Sequence, residues 1–418
     1  MLTLVLAGGR SERLHALGRM RPASALPFGG KYRVIDFTLS NCVHSGLTRI
    51  GILTQYAPLS LQQHIGIGRP WDLDRRDGGV RLLQPYVRQR ETNWYRGTAD
   101  ALVQNRNVIA DAQARHILVV SGDLIYKTDF GPLIERHEAR GSALTVVTVP
   151  CPDEEPERHG AVEVDTRRRV VGFEDRTAAG AGTTVSASIY LFRGRDLMAR
   201  LQDRSLGPDL VRDVIRPMVR DGLPVHSEPL DGYWRDVSTI ESYYETHMDL
   251  LRDRPPLNLH DPDWLVYTPS EDRAPTICAN GGDVVSSMVA HGAVIEGAVR
   301  HSVIFPGVHV GSGAVVEDSI VMHDTRILPG AQLRGAIVDK QVRIGENAVL
   351  GVGEPTRHRE HPHDLSSGLC VIGKGAEIPA GTRIGKNTLI DIRVHETDFT
   401  GDVPSGSTVR GRAGARSR

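Results

Sequence analysis

Two hydrophobic rhythms divide the chain. From residue 1 to about 245, short aliphatic runs alternate with helical patterns, the signature of a mostly parallel sheet covered by helices. The runs predict strands at Thr3–Ala7, Arg49–Leu53, His116–Val120, Leu144–Val149 and Ser188–Phe192. Between them, Thr98–Asp111 places Ala101, Leu102, Val108 and Ile109 at helical spacing behind Thr98 as N-cap, predicting one helix. Beyond a Pro-, Asp- and Arg-rich stretch the period becomes six: Val289 and Ile295; then Ile304, Val310, Val316, Met322 and Leu328; then Val338, Ile344 and Leu350; and finally Ile372, Ile378, Ile384 and Ile390. Hexapeptide periodicity predicts a parallel β-helix whose coils stack their aliphatic positions. Phase slips after Ile295 and Leu328 mark irregular turns. Gly351–Leu369 lacks the period and reads as a solvated loop, its His358, His361 and His363 being surface residues rather than metal ligands. The predicted organisation is a domain over 1–250, a linker over 251–279, the repeats over 280–410 and a basic tail over 411–418.

Composition narrows the function. With 50 Lys and Arg against 51 Asp and Glu, the net charge of −1 leaves no excess to hold a nucleic acid, so phosphate binding must be local. The four cysteines, Cys42, Cys151, Cys278 and Cys370, are widely spaced and read as reduced thiols of a cytoplasmic protein. The first apolar run ends at Gly8-Gly9-Arg10, too short for a signal peptide, and nowhere do eighteen apolar residues run together, so no membrane partner is expected.

Candidate chemistry sits at predicted strand ends. Gly8 and Gly9 close the first strand, where the backbone can approach a phosphate, and Arg10 and Arg13 follow. Asp123 and Asp236 each follow a predicted strand. Two such carboxylates are a way to hold Mg²⁺ against a nucleotide phosphate, because this hard ion takes oxygen ligands.

Four segments carry a resemblance: PFGGKYRVIDFTLSNCVHSGL from Pro27, NWYRGTADA from Asn93, SGDLIYKTDF from Ser121 and GYWRDVSTIESYYETHMDL from Gly232. Together they resemble bacterial ADP-glucose pyrophosphorylases, the glucose-1-phosphate adenylyltransferases, over nearly the whole chain. The resemblance implies a Rossmann-like nucleotidyltransferase domain followed by a left-handed parallel β-helix. It implies ATP and glucose 1-phosphate as substrates, Mg²⁺ as cofactor, and a homotetramer or a hetero-oligomer with a related subunit. By position, Asp123 and Asp236 would hold the metal and Arg13 would stabilise the departing pyrophosphate. Gly8, Gly9, Gln55, Trp94, Tyr95, Gly97 and Asp100 would meet the nucleotide. Tyr95, Gly160, Glu174, Asp175, Arg176 and Ser186 would meet the sugar phosphate.

The chain also departs from the family pattern. Ser11 and Glu12 stand in the glycine-rich loop, Ala23 replaces a phosphate-binding lysine whose charge Arg21 could restore, and Met20 stands where some members carry an activator-binding lysine. Two readings follow: adenylyl transfer giving ADP-glucose and pyrophosphate for glucan synthesis, or a weakly active or inactive paralogue serving as regulatory subunit or sugar-phosphate sensor. A bifunctional uridylyltransferase–acetyltransferase would need a longer β-helix.

Overall fold

Aliphatic runs of the first half assemble into one seven-stranded sheet: β1 (Leu2–Leu6), β2 (Arg49–Leu53), β3 (Gly79–Leu83), β4 (His116–Ser121), β5 (Leu144–Pro150), β6 (Thr184–Arg193) and β7 (Val225–Pro229). The strands lie in the order β7-β5-β6-β4-β1-β2-β3. The structure is a computed structural model that describes residues 1–85, 94–151, 161–173 and 183–411. It divides into two units: Met1–Gly9 with Ile35–Trp234 and Pro262–Tyr267, and Arg10–Val34 with Arg235–Asp261 and Thr268–Arg418.

In the first unit β1 runs parallel to both β2 and β4, pairing Leu6 with Leu53 and with Ser121. The carboxyl ends of these three strands therefore share one edge of the sheet, the edge at which open α/β sheets bind ligands. β6 runs antiparallel to β4 and β5, and its register shifts between Ser186 and Tyr190, where Ser188 takes a φ of 59°. The predicted helix over Thr98–Asp111 is two helices, Thr98–Gln104 and Arg106–Asp111. Asn105 divides them, its side-chain amide donating to the Ala101 carbonyl and the Tyr95 hydroxyl, both at 2.9 Å. Thr98 does not cap its own helix. Gly97 holds the N-cap, and the Thr98 hydroxyl instead accepts the Leu210 N–H at 2.9 Å.

In the second unit the repeats form three parallel sheets, the faces of a β-helix. One face stacks Ile295, Val310, Ile327, Ile344 and Ile378; the next Val299, Val316, Leu333, Leu350 and Ile384; the third Ile304, Val321, Val338, Ile372 and Ile390. All fifteen are buried in one core cluster. Val310, Ile327 and Ile344 are 17 residues apart rather than 18, so one side of each of these coils takes five residues instead of six. This corrects two positions: Val321 and Ile327, not Met322 and Leu328, belong to the ladder. The short corner has a physical cause. His301, Asp318 and Gly335 occupy it in successive coils with φ of 44°, 48° and 59°, a left-handed turn that saves a residue. Behind the corner, the Ser302 hydroxyl accepts the Ser319 N–H at 3.1 Å and the Ser319 hydroxyl accepts the Ala336 N–H at 3.1 Å. These serines are buried, and the ladder satisfies amides that an aliphatic corner would leave unpaired.

Between Leu350 and Ile384 the spacing doubles, because Gly351–Leu369 is inserted; Leu350 still pairs with Ile384, and the register shifts between Leu350 and Val352 where the insertion begins. This insertion is not simply solvated: His358 is 1 % exposed and Leu365 is buried. Also in the second unit, helix Ile240–Met248 starts at Thr239, whose hydroxyl accepts the Ser242 N–H. It ends beside the Phe28-Gly29-Gly30 turn. There His247 donates from Nδ1 to the Tyr243 carbonyl at 2.9 Å, leaving Nε2 to accept the Gly29 N–H at 3.2 Å. The Tyr243 hydroxyl donates to the Pro27 carbonyl.

Candidate active site

The first unit gathers most of the predicted nucleotide residues at the carboxyl edge of its sheet. Past β1, Ala7 donates its N–H to the Leu53 carbonyl at 2.9 Å. A Cβ on Gly8 would stand 3.1 Å from the Gln55 nitrogen and 3.3 Å from the Leu53 carbonyl, so this position accepts little beyond glycine. A Cβ on Gly9 would meet nothing within 4 Å, so its backbone is open to a ligand. At the end of β4, Gly122 donates to the Leu6 carbonyl at 2.9 Å, and Asp123 accepts the Ser121 hydroxyl.

Gln55, just past β2, grips the next loop by its backbone. Its amide donates to the Tyr95 carbonyl at 3.1 Å and its oxygen accepts the Tyr95 N–H. The Tyr95 hydroxyl is itself bracketed by the Leu83 carbonyl and Asn105. Asp100, 7 % exposed, accepts the Arg96 N–H at 2.9 Å and Gln104 at 3.0 Å and pairs with the Arg96 guanidinium at 3.2 Å. A Cβ on Gly97 would come within 2.5 Å of the Pro208 carbonyl. These contacts make Gln55, Gly97 and Asp100 organisers of a loop that leaves Trp94 63 % exposed. Ser186 lies at the β6 bulge, donating to the Tyr190 hydroxyl at 2.9 Å. Gly160, Glu174, Asp175 and Arg176 lie outside the described residues.

The remaining residues belong to the second unit. Arg13 is exposed on a short turn over Glu12–Leu14, with Arg10 3.9 Å from Glu12. Asp236 accepts the Ser238 N–H at 2.9 Å, and its carbonyl accepts the Ser242 hydroxyl. Two departures from the family pattern meet: the Ser11 hydroxyl accepts the Ala23 N–H at 2.8 Å. Arg21 does not stand in for the lysine missing at Ala23. It is 4 % exposed, donates to the Leu17 carbonyl at 3.2 Å and pairs with buried Asp339. Burial, with Arg33 and Arg21 nearby, pushes the Lys340 ammonium down to about 7. Sequence reasoning missed this group, because its partners stand some three hundred residues away.

A glycine turn and a carboxylate at the ends of parallel strands, joined to a hexapeptide β-helix, define a nucleotide-binding class of protein. The nucleotidyl transferase family matches residues 2–253, and the GlmU-like C-terminal hexapeptide family matches residues 276–372, which makes the coils a left-handed parallel β-helix. Among similar proteins is the glucose-1-phosphate adenylyltransferase of Thermomicrobium roseum, 46 % identical over 97 % of this chain and 96 % of its own length. Those of Thermotoga maritima and Acetivibrio thermocellus are 42 % and 38 % identical, over 95 % and 96 % of this chain and 95 % of each relative. The chain belongs to the glucose-1-phosphate adenylyltransferase family of nucleotidyl transferases. No helix among the described residues is long and apolar enough to cross a membrane, and all four cysteines are free thiols.

Proposed function

We propose that the protein transfers an adenylyl group from ATP to glucose 1-phosphate, giving ADP-glucose and pyrophosphate. A phosphate oxygen of the sugar phosphate attacks the α-phosphorus in line, and the bond to the pyrophosphate oxygen breaks. Such transfer depends on positioning and charge neutralisation, with little covalent chemistry for the protein to perform. The observation that carries the reading is near-full-length similarity to three adenylyltransferases, in a chain that keeps an open glycine turn at the end of its first strand.

Within this reading Gly8 and Gly9 let the triphosphate approach the β1 edge, and Gln55 holds the Tyr95 loop in place for the nucleotide. Trp94 and Gly97 belong to the same loop, and Asp100 holds it from the first turn of the helix that follows. Arg13, exposed on its turn, neutralises the departing pyrophosphate. Tyr95, Gly160, Glu174, Asp175, Arg176 and Ser186 serve the sugar phosphate. Asp123 and Asp236 are assigned to Mg²⁺ from the motifs in which they stand. Their donor set is all oxygen, which suits this ion, and bound there it would neutralise phosphate charge. Three further elements of the reading are cytoplasmic location, a homotetramer, and a nucleotidyltransferase domain spanning residues 1–250.

The decisive assay supplies purified protein with Mg²⁺, glucose 1-phosphate and each nucleoside triphosphate in turn, and measures pyrophosphate. ATP is expected to give the fastest release together with ADP-glucose. Release only with another triphosphate, or none, would overturn the reading.

A further inference from the structure

We propose that His15, His361 and Asp364 form a binding site for one divalent cation of the zinc class. The proposal does not depend on adenylyl transfer. All three residues lie in the second unit, where one ligand atom from each falls within 4.8 Å of the other two. His15 Nε2 is already 3.3 Å from Asp364 Oδ2. A tetrahedral ion with ligands at about 2.0–2.1 Å separates neighbouring ligand atoms by about 3.4 Å, so this edge of the site stands at the required length. Two imidazoles and one carboxylate suit zinc and its neighbours, whereas Mg²⁺ prefers an all-oxygen set.

A second observation comes from His15 itself. Its side chain is 8 % exposed, and Nε2 makes no hydrogen bond among the described residues beyond the 3.3 Å ionic approach to Asp364. A buried ring nitrogen without a full hydrogen bond is costly, and a cation held between it and the carboxylate would satisfy both. The backbone that presents it is also unusual, since His15 has a φ of 44°, a conformation uncommon outside glycine.

The other two ligands come from the insertion in the repeats. Asp364 and Leu365 donate their N–H groups to the His361 carbonyl at 3.3 and 3.1 Å, closing a turn that carries His361 and Asp364 three residues apart. His358 fixes that turn without offering a ligand. Its Nδ1 accepts the N–H groups of Glu360 and His361 at 3.3 and 3.0 Å, so the proton sits on Nε2, which donates to the Thr408 hydroxyl at 3.1 Å. Both ring nitrogens are thereby used. The His15 and His361 rings lie 4.2 Å apart between centroids, while His361 and Asp364 are about a third exposed and open to an arriving ion. A bound cation would tie the insertion to the helical turn directly after Arg13 and hold that turn in place.

The test uses the full chain, stripped with chelator and titrated with Zn²⁺, then separately with Co²⁺, in excess Mg²⁺. The expected result is one tightly held equivalent of Zn²⁺, visible absorption bands of Co²⁺ in a tetrahedral field, and a raised Tm with Zn²⁺. His361→Ala and Asp364→Asn, both at partly exposed positions, should weaken binding at least tenfold and abolish the bands. His363→Ala, an exposed neighbour in the same insertion, should leave both unchanged. Binding by His361→Ala equal to wild type, loss in His363→Ala equal to that in His361→Ala, or no retained metal in the wild type would each overturn the site.

Discussion

The seven-stranded sheet and the repeat coils bury aliphatic residues by opposite routes. In the sheet, Leu4 pairs with Gly51 on one side and Val119 on the other, partners set by the order of strands rather than by distance along the chain. In the coils, Val316 pairs with Val299 and Leu333, 17 residues behind and ahead. A sheet closed by distant partners is cooperative as a whole, whereas a stack of coils is held by nearest-neighbour contacts. Damage to the coils should therefore stay local, and damage to the sheet edge should be felt in chemistry.

Ile378→Asp is the hardest blow to this contrast. Ile378 is fully buried against Ile344, and an unpaired carboxylate there should cost about 5 kcal/mol or more. Hydrogen exchange should accelerate in the coils around residues 344–390 and stay slow in β4. Equal acceleration in both would break the nearest-neighbour picture. Asp123→Asn and Asp236→Asn make the complementary test on chemistry. Each should lower turnover about a thousandfold, roughly 4 kcal/mol of transition-state stabilisation, with an unchanged melting curve. Near-wild-type turnover in both would remove the metal assignment.

Arg21→Met probes a charge that the second unit buries. Losing one partner leaves the Asp339 carboxylate unpaired, at a cost of about 3–5 kcal/mol, and the double variant with Asp339→Leu should recover most of it. If Arg21→Met instead kept its stability and lost ATP turnover, Arg21 would be a phosphate ligand after all.

Acid sharpens the comparison, because each unit buries a neutral histidine. Burial pushes His247 in the second unit down to about 4; burial first, then His116, does the same to His137 in the first. A histidine lowered on folding contributes stability that is complete above the unfolded value near 6.5 and is lost as pH falls from there toward 4. The slope is about 1.4 kcal/mol per pH unit for each such group. Both units should lose stability between pH 6.5 and 4, and His247→Gln should flatten the curve of the second unit alone. A melting temperature constant across that window would contradict both assignments.

What was legible in the chain follows the same division. Five of the seven strands of the sheet are readable because each run is local, and Arg49–Leu53 matches to the residue, whereas Gly79–Leu83 and Val225–Pro229 lack a comparable run and are missed. The order β7-β5-β6-β4-β1-β2-β3 is not readable, since no local pattern encodes which strands become neighbours. In the repeats the neighbour is encoded by spacing, so the errors there were of one residue, at Met322 and Leu328. They arose because the five-residue side depends on a left-handed corner at Asp318 that hydrophobicity does not reveal. At the candidate site, glycines and aspartates announced themselves by chemistry at strand ends. Arg21 misled, since its partner Asp339 stands 318 residues away, and His15 carried no signal until the fold placed His361 and Asp364 beside it.

The smallest expected effect concerns Ser11, the departure whose structural role is clearest. Its hydroxyl accepts the N–H of Ala23, the first residue of the short turn Ala23–Ala25, and Ala23 is 4 % exposed. Ser11→Ala would leave that amide buried without this partner, which costs about 1 kcal/mol, or a few degrees of Tm. Ser11→Gly should lose the same bond and add backbone freedom, so it should be no more stable than Ser11→Ala. If Ser11 acts only by joining its loop to the Ala23 turn, both variants should keep the KM for ATP. A KM raised several-fold with unchanged Tm would mean that Ser11 meets the triphosphate directly and that the bond to Ala23 gives way when nucleotide binds. A lowered Tm together with a raised KM would mean that the turn positions Arg13, and metal added at His15 should then restore part of the affinity.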